Sequence, residues 1–148
     1  MSGPEEENGF ISNVESGRTQ NLEWCSCGNC RIESESSDCK CCWEVEQLNA
    51  RFVQENITCI RNFSSFNTLF LDKTMLEMML RDKHFIRGDP IDDKLTNRSY
   101  RVAAYKQFNT WAFRVRQLGK RERRGPLPSC VVARIRKKFP ETDGNYGY

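Results

Sequence analysis

The residues best suited to chemistry in this sequence are its cysteines, six of which lie between Trp24 and Cys42. That segment reads WCSCGNCRIESESSDCKCC, and the two remaining cysteines are Cys59 and Cys130. A segment so rich in Ser, Glu, Asn and Gly buries too little apolar surface to fold by itself. A cross-link must therefore hold it, and the two candidates are disulfide bonds and a metal.

The spacing of the cysteines favours a metal. Neighbouring cysteines and a Cys-x-Cys pair are poorly placed to bond each other, because a relaxed disulfide needs facing Cβ atoms and Cα atoms about 4.4–6.8 Å apart. Thiolates that converge on an ion have no such restriction, and tetrahedral Zn²⁺ accepts four sulfurs at about 2.3 Å. Cys27 and Cys30 have the common knuckle spacing, whereas the diverging side chains of Cys41 and Cys42 suit two different ions. We therefore expect one cluster of about two zinc ions, with a bridging sulfur if only seven cysteines are ligands.

Length and composition agree with a reduced, metal-stabilised domain. A chain of 148 residues is most simply one domain with a modest core. Its acidic start, MSGPEEENGF, lacks the basic and apolar regions of a secretory signal, and the sequence has no run of about 18 apolar residues that would span a membrane. We therefore expect an intracellular protein, cytoplasmic or nuclear, in which thiols stay reduced.

The net charge of +3 hides an asymmetry between the two halves of the chain. Residues 1–60 contain 11 acidic and 4 basic side chains, a charge of −7, whereas residues 61–148 contain 9 acidic and 19 basic ones, a charge of +10. The basic half could neutralise the acidic one, or offset the charge of roughly −3 on two Zn²⁺ and seven thiolates. The alternative is an anionic partner.

The rest of the chain must position the cysteines, and its hydrophobic periodicity predicts helices. We interpret residues 1–21 as a polar tail and residues 22–148 as the domain. The predicted helices are a short one over 44–51, one from Asn62 or Ser64 to about Leu69, one capped by Asp72 that runs to about Lys83, a long one from Thr96 or Asn97 to about Val115, and a last one capped by Ser129 that stops before Pro140.

Apolar stripes on these helices are predicted to face the core. On the long helix the stripe repeats every three or four residues and consists of Tyr100, Ala104, Phe108, Trp111 and Val115. An aromatic platform for unpaired bases is the alternative. Cys130 falls in the first turn of the last helix, where the helix dipole and free N–H groups favour a metal-bound thiolate over a buried core thiol.

Other candidate sites are less specific. His84, the single histidine, could ligate zinc, although eight cysteines make it unnecessary. The basic loop KRERRG over 120–125 is typical of phosphate-binding or targeting runs, so nucleic-acid binding is an alternative function. The sequence has no HExxH and no phosphate-binding GxxxxGK[ST], and an all-thiolate site leaves no coordination position for water. We therefore do not expect an enzyme.

Several motifs together resemble one known family. WCSCGNC, CKCC followed by WEV, TCI, YRVAAYKQFNTW, LPSC and RIRKKFP occur in the order found in the cytoplasmic "ballast" domain of the subtype-seven purinergic ATP-gated channel and in related stand-alone proteins. The resemblance covers about residues 22–148. It implies a single compact α+β domain, predominantly α, packed around a dinuclear zinc cluster. The ligands that it implies are Cys25, Cys27, Cys30, Cys41, Cys42, Cys59 and Cys130; it leaves Cys39 open, because the family's segment before the double cysteine is spaced differently.

The same resemblance implies a guanine nucleotide site between the long helix, the LPSC turn and the final segment. The residues that match this site are Arg101, Tyr105 and Leu127. Three positions depart from the family, where histidine, arginine and lysine are replaced here by Val102, Val132 and Glu141. An arginine–phosphate contact contributes about 1.5–3 kcal/mol, so losing cations and adding a carboxylate predicts weak or no nucleotide binding.

The sequence thus predicts an intracellular zinc-binding structural or interaction domain with an unidentified protein partner. The alternatives are a guanine nucleotide sensor and a nucleic-acid-binding module that uses the loop 120–124. Another anion could also bind to the basic side chains of Arg101, Lys120, Arg121, Arg123, Arg124, Arg134 and Arg136.

Overall fold

The computed structural model describes residues 17–87, 95–113, 127–144 and 146, without the side chains of residues 83–87. The α-helices in these ranges are α1 (Asn49–Glu55), α2 (Phe66–Phe70), α3 (Lys73–Arg87), α4 (Asn97–Phe113) and α5 (Ser129–Lys138). Short 3₁₀ helices cover Ser36–Asp38, Cys42–Glu44, Glu46–Leu48 and Ile60–Asn62. These ranges contain no β-strand, so the predicted predominance of helix is confirmed, whereas the β part of the predicted α+β class is not found in them. Within the same ranges, no helix has the length and apolar character of a membrane span.

Helix α4 is the central element of the core and packs against α2, α3 and α5. Its predicted inward stripe is confirmed, because Ala104 and Phe108 are fully buried and Tyr100 and Trp111 are half-buried. Val115, the last predicted member, lies outside the described residues. The stripe is therefore part of the core and does not form an exposed surface on which bases could stack.

Aromatic rings fill the space between α2 and α4. Phe70 meets Phe108 edge to face with 5.2 Å between ring centroids, and Phe66 meets Phe70 in the same way at 5.0 Å. Edge-to-face pairs of buried rings add about 0.5–1.5 kcal/mol to the effect of burying their area. This aromatic cluster holds α2 against α4.

Helix α3 begins where the sequence predicts. The Asp72 carboxylate accepts hydrogen bonds from the N–H groups of Thr74 (2.8 Å) and Met75 (3.4 Å), a helix cap that contributes about 1 kcal/mol. The spacing of Met75, Leu76, Met79 and Leu80 predicts the inward face of this helix. Leu76 is fully buried, and the other three are half-buried. The helix continues to Arg87, past the predicted end near Lys83.

The segment predicted as one helix over 44–51 is divided into shorter pieces. Two 3₁₀ turns, Cys42–Glu44 and Glu46–Leu48, precede α1. Val45 separates them in an extended conformation, with φ −100° and ψ 106°. Val45, Leu48 and Phe52 are nevertheless all buried, as their spacing predicts.

The start of α5 differs from the prediction in the role of Ser129. Ser129 is the first helical residue, Pro128 occupies the N-cap position, and no side chain caps the helix. The buried Ser129 hydroxyl instead donates to the carbonyl oxygen of Arg31 (2.6 Å) and accepts from the N–H of Arg31 (2.7 Å). The Ser129 N–H donates to the carbonyl oxygen of Lys40 (2.7 Å). The hydroxyl is thus used to join the last helix to the cysteine-rich segment.

The described end of the predicted tail also contacts the cysteine-rich segment. Arg18 donates two hydrogen bonds to the Glu44 carboxylate (2.7 and 2.9 Å) and one to the carbonyl oxygen of Cys39 (2.8 Å). The Trp24 indole N–H donates to the carbonyl oxygen of Arg18 (2.9 Å). The hydrogen bonds from Arg18 are the main reason that the pKa of Glu44 is lowered.

Candidate metal centre

The structure gathers seven of the eight cysteines into two groups of four that have one member in common. The first group consists of Cys25, Cys27, Cys30 and Cys41, and the second of Cys27, Cys42, Cys59 and Cys130. Within each group, all the sulfur atoms lie within 4.8 Å of one another. Two tetrahedral sites that share a corner have this arrangement, with Cys27 at the shared corner.

The separations between sulfur atoms fit metal coordination and exclude disulfide bonds. Cys27 Sγ lies 3.8 Å from Cys25 Sγ and 3.8 Å from Cys30 Sγ. Four sulfurs at the corners of a tetrahedron, each about 2.3 Å from a zinc ion, are about 3.8 Å apart. A disulfide would bring two sulfurs to about 2.05 Å. All eight cysteines lie in the described residues, and all are unbonded thiols.

Each ligand position follows from the element that holds it. Cys41 is extended, with φ −90° and ψ 152°, and Cys42 opens a 3₁₀ turn, so these neighbours point into different groups, as the sequence predicts. Cys59, in extended conformation, precedes the 3₁₀ helix Ile60–Asn62. Cys130 is fully buried in the first turn of α5. The second group therefore closes only because the last helix packs against the cysteine-rich segment.

The knuckle between Cys27 and Cys30 is shaped by a glycine. Gly28 has a φ of +84°, in the left-handed region where a Cβ is costly, and its N–H donates to Cys25 Sγ at 3.2 Å. A second backbone donor, the N–H of Ser26, reaches Cys41 Sγ at 3.3 Å. Such N–H groups stabilise negative charge on sulfur, which favours the thiolate that a metal requires.

The electrostatics of the cysteines also single out the shared sulfur. The pKa of the Cys27 thiol is held well below its usual range, because the thiols of Cys130, Cys30, Cys42 and Cys59 donate hydrogen bonds to it in that order of importance. These hydrogen bonds favour the thiolate form of Cys27, which is the form that a metal requires.

Cys39, which the sequence left open, belongs to neither group. Its side chain is buried, its sulfur accepts a hydrogen bond from the Glu33 N–H (3.3 Å), and its S–H donates to the Glu33 carbonyl oxygen (3.6 Å). Cys39 thus closes the loop between the two halves of the cysteine-rich segment. The side chain of His84, the other open candidate, lies outside the described residues.

The residues implied for an anion site are placed on and beside α4. Arg101 is 2% exposed and is engaged by its own chain: Nη1 donates to the Phe139 carbonyl oxygen (2.8 Å) and Nη2 to the Glu141 carboxylate (2.6 Å). The guanidinium groups of Arg101 and Arg136 also contact the ring of Tyr146, with their Cζ atoms 4.9 and 4.7 Å from its centroid. The position at which a phosphate would meet Arg101 is therefore taken by a carboxylate.

Of the other candidate residues for anion binding, Tyr105 and Leu127 belong to the part of the chain that the structure describes. Tyr105 is buried one turn after Arg101 on α4, and Leu127 is half-buried two residues before α5. The basic loop 120–124 lies outside the described residues. The described part of the candidate anion site is therefore closed and largely buried.

Sequence reasoning missed the residues that attach the cysteine-rich segment to the rest of the domain. The position of Ser129 predicts a helix cap, because a hydroxyl at a helix start usually has that role. Its actual partner, Arg31, is 98 positions away and can be identified only from the tertiary structure. The pairing of Arg18 with Glu44 was missed for the same reason.

The fold and the site together define a cysteine-rich helical domain with a centre suited to two metal ions. The chain belongs to the family described as the P2X purinoreceptor 7 intracellular domain, whose model matches residues 4–148. It is similar to P2X purinoceptor 7 of Mus musculus, with 32% identity over 128 residues that cover 83% of this chain and 19% of that protein. P2X purinoceptor 7 of Rattus norvegicus is 30% identical over 127 residues, covering 84% of this chain and 19% of the rat protein. The predicted resemblance is confirmed, and the chain spans about a fifth of the length of these relatives.

Proposed function

We propose that this chain is an intracellular domain held together by two zinc ions, and that it acts as a structural and protein-interaction module. The observation that supports the proposal most strongly is the arrangement of sulfur atoms in two groups of four that share Cys27. The description of the family as an intracellular domain supports the location, and so do the unbonded thiols.

The proposed ligands have distinct roles. Cys25, Cys30 and Cys41 would bind one ion, the second would be bound by Cys42, Cys59 and Cys130, and Cys27 would bridge the two. Each ion would then have four thiolate ligands and no position for water. Zinc would supply a cross-link and no reaction chemistry, so we propose a domain that is not an enzyme.

The free energy contributed by the bound zinc would be large compared with the total free energy of unfolding of a domain. A structural zinc ion contributes about 10–16 kcal/mol in zinc-finger peptides, whereas a whole domain is stable by about 5–15 kcal/mol. The core around α4 is apolar, but the cysteine-rich segment is polar outside its sulfurs. We therefore expect this segment, and the docking of α5 on it, to depend on metal.

Elemental analysis combined with native mass spectrometry tests the proposal directly. We expect two zinc ions per purified chain, and we expect a strong chelator to reduce the helical circular dichroism signal of the whole chain as α5 loses its docking site. The same mass spectra report the oligomeric state and any retained small molecule. A folded chain that contains no metal would refute the proposal.

Binding of a guanine nucleotide, the alternative implied by the family, is opposed by the contacts of Arg101. Its guanidinium is engaged by the Glu141 carboxylate and by the Phe139 carbonyl oxygen. We infer that guanine nucleotides bind weakly or not at all, so millimolar GDP should leave the melting temperature unchanged. The Glu141→Lys variant is the matched control, because it removes the competing carboxylate and adds the cation found in the family. A clear rise in the melting temperature of the unmodified chain would contradict this inference.

A further inference from the structure

A small cavity beside the candidate metal centre is lined by four cationic side chains. Its volume is about 190 Å³, and its lining includes Cys30, a proposed metal ligand. The four cations are Arg31, Arg61, Arg134 and Lys137. Among the described residues, no carboxylate lines this cavity. Since one water needs only about 10–15 Å³ of such space, the cavity can hold a polyatomic ion.

The four cations are brought together by three separate elements. Arg31 follows the cysteine knuckle, Arg61 lies in the 3₁₀ helix Ile60–Asn62, and Arg134 and Lys137 are one turn apart on α5. Residues so distant in sequence meet only because α5 docks on the cysteine-rich segment. Their convergence is a property of the fold and could not be read from any run of basic residues.

Three of these cations, Arg61, Arg134 and Lys137, have no anionic partner in the part of the chain that the structure describes, and Arg31 has only a longer-range attraction to the Glu33 carboxylate, which acts to lower the pKa of Glu33. None of the four side chains forms an ion pair or a hydrogen bond within the described residues. Arg136, on the same helix, is different, because it pairs with Glu33 at 3.4 Å. Like charges that converge without a counter-ion repel one another, so a bound anion would relieve the repulsion.

Compensation of the metal centre is the competing explanation for these cations. Two Zn²⁺ and seven thiolates would carry a charge of roughly −3. Arg31 directly follows the proposed ligand Cys30, and Arg61 lies close to Cys59 in the sequence. Compensation requires only that cations lie near the sulfurs. It does not require three guanidinium groups and an ammonium group to surround an open cavity, which is the arrangement that binds phosphate oxygens.

A larger neighbouring cavity extends this site. It has a volume of about 430 Å³, shares Arg134 with the first cavity, and is also lined by Lys73, Lys138 and the polar side chains of Asn67 and Thr68. Among the described residues of its lining, the one carboxylate is that of Asp72, which caps α3. The organic part of a phosphate ester would have room here while its phosphate lay in the smaller cavity.

We propose that the cavity between Arg31, Arg61, Arg134 and Lys137 binds a phosphate group, either as inorganic phosphate or as a small phosphate monoester. A guanidinium group can donate two parallel hydrogen bonds to two oxygens of one phosphate. Charge-assisted hydrogen bonds of this kind are about twice as strong as neutral ones. The site is separate from Arg101, whose guanidinium is already engaged. It requires the folded chain but no nucleotide.

A titration of the zinc-loaded, ¹⁵N-labelled full chain with inorganic phosphate tests the proposal. Ionic strength is held constant with sodium chloride, and the arginine side-chain N–H signals are followed together with the heat of binding. We expect saturable shifts in the signals of the cavity arginines. Zinc content is measured before and after, so that removal of metal by phosphate is recognised.

Matched variants identify the site. Arg61→Gln should weaken phosphate binding on the order of tenfold or more, since it removes a charge-assisted contact. Arg98→Gln removes the same charge from an exposed position on α4 that does not line the cavity, and it should leave binding unchanged. Lys137→Gln, at an exposed position, provides a second test if Arg61→Gln fails to fold.

A second arm distinguishes the two sources of phosphate. Phenyl phosphate should bind more tightly than inorganic phosphate if the larger cavity receives the ester, and Lys73→Gln should then weaken only the ester. Equal affinities that both fall in Arg61→Gln would support inorganic phosphate as the ligand. The proposal is overturned if chloride alone produces the same shifts, or if Arg61→Gln and Lys137→Gln bind as the unmodified chain does. Loss of zinc from these variants, without phosphate binding by the unmodified chain, would also overturn it and assign the cations to the metal centre.

Discussion

Serine substitutions at three cysteines should separate a shared, an unshared and a non-ligand sulfur. Cys27 belongs to both groups, Cys25 to one group and Cys39 to neither. A serine hydroxyl is a poor replacement for a thiolate on zinc, which is bound through deprotonated sulfur. We therefore expect Cys27→Ser to lose both ions, Cys25→Ser to lose the ion of the first group, and Cys39→Ser to retain both.

The size of each effect follows from the number of sites that the sulfur serves. Each structural zinc ion contributes about 10–16 kcal/mol, so losing both exceeds the total of about 5–15 kcal/mol that keeps a domain folded. Cys27→Ser should be unfolded. In Cys39→Ser the hydroxyl can keep the two hydrogen bonds to Glu33, and the cost should be about 1 kcal/mol.

The assay combines zinc content, circular dichroism and thermal unfolding of the same protein preparations. Cys39→Ser is the matched control, because it makes the same chemical change at a buried cysteine within the same segment. Loss of an ion from Cys39→Ser as readily as from Cys25→Ser would refute the assignment of ligands. A folded Cys27→Ser protein with two ions would refute the shared sulfur.

Three further predictions concern the residues that support the centre. Ser129→Ala should lower the free energy of unfolding by about 2 kcal/mol, because both backbone groups of Arg31 lose their partner; the exposed Ser37→Ala should change it little in the same denaturation experiment. Gly28→Ala should cost about 1–2 kcal/mol through its positive φ alone, since an added Cβ would contact nothing, and Gly28→Asn should cost less because asparagine tolerates this conformation; equal losses in thermal unfolding would contradict the backbone explanation. Glu44→Gln should be less stable than the unmodified chain at neutral pH, because a lowered carboxyl pKa stabilises the folded state above the unfolded value of about 4.3 and this contribution is lost as the pH falls through the folded pKa. The difference in unfolding free energy between the two proteins should therefore narrow on acidification, and a difference that does not depend on pH would rule out the ion pair with Arg18 as its source.

Local sequence patterns predict much of the helical core. The cap at Asp72 and the stripe through Ala104 and Phe108 depend on neighbours within four residues, and the structure confirms both. The division of the segment before α1 was not predicted, because Val45, Leu48 and Phe52 have the spacing of one helix face and nothing in that spacing indicates that Val45 is extended. Tertiary packing overrode a weak local preference there.

The candidate centre could be predicted in part. The spacing of the cysteines indicated a metal, and the adjacency of Cys41 and Cys42 indicated two groups, because both arguments concern short stretches of backbone. The place of Cys130 in the first turn of a helix favoured a metal-bound thiolate, and the family resemblance implied both Cys59 and Cys130 as ligands. Their meeting at Cys27 was not predicted, since no local pattern encodes a contact across the whole chain. Of the cations that line the smaller cavity, only Arg134 was among the predicted anion-binding residues, and its meeting with Arg31 and Arg61 was not predicted, for the same physical reason.

The two sulfur groups span very different lengths of sequence, and this difference affects the order in which they form during synthesis. Every member of the first group has been synthesised once Cys41 has left the ribosome, so a nascent chain already contains all the donors for one ion. The second group must wait 89 further residues, until Cys130 emerges and α5 can dock. The two ions would thus bind in two stages during translation. The first ion would hold Cys27 in place, while the sulfurs of Cys42 and Cys59 would stay exposed to oxidants until α5 docks.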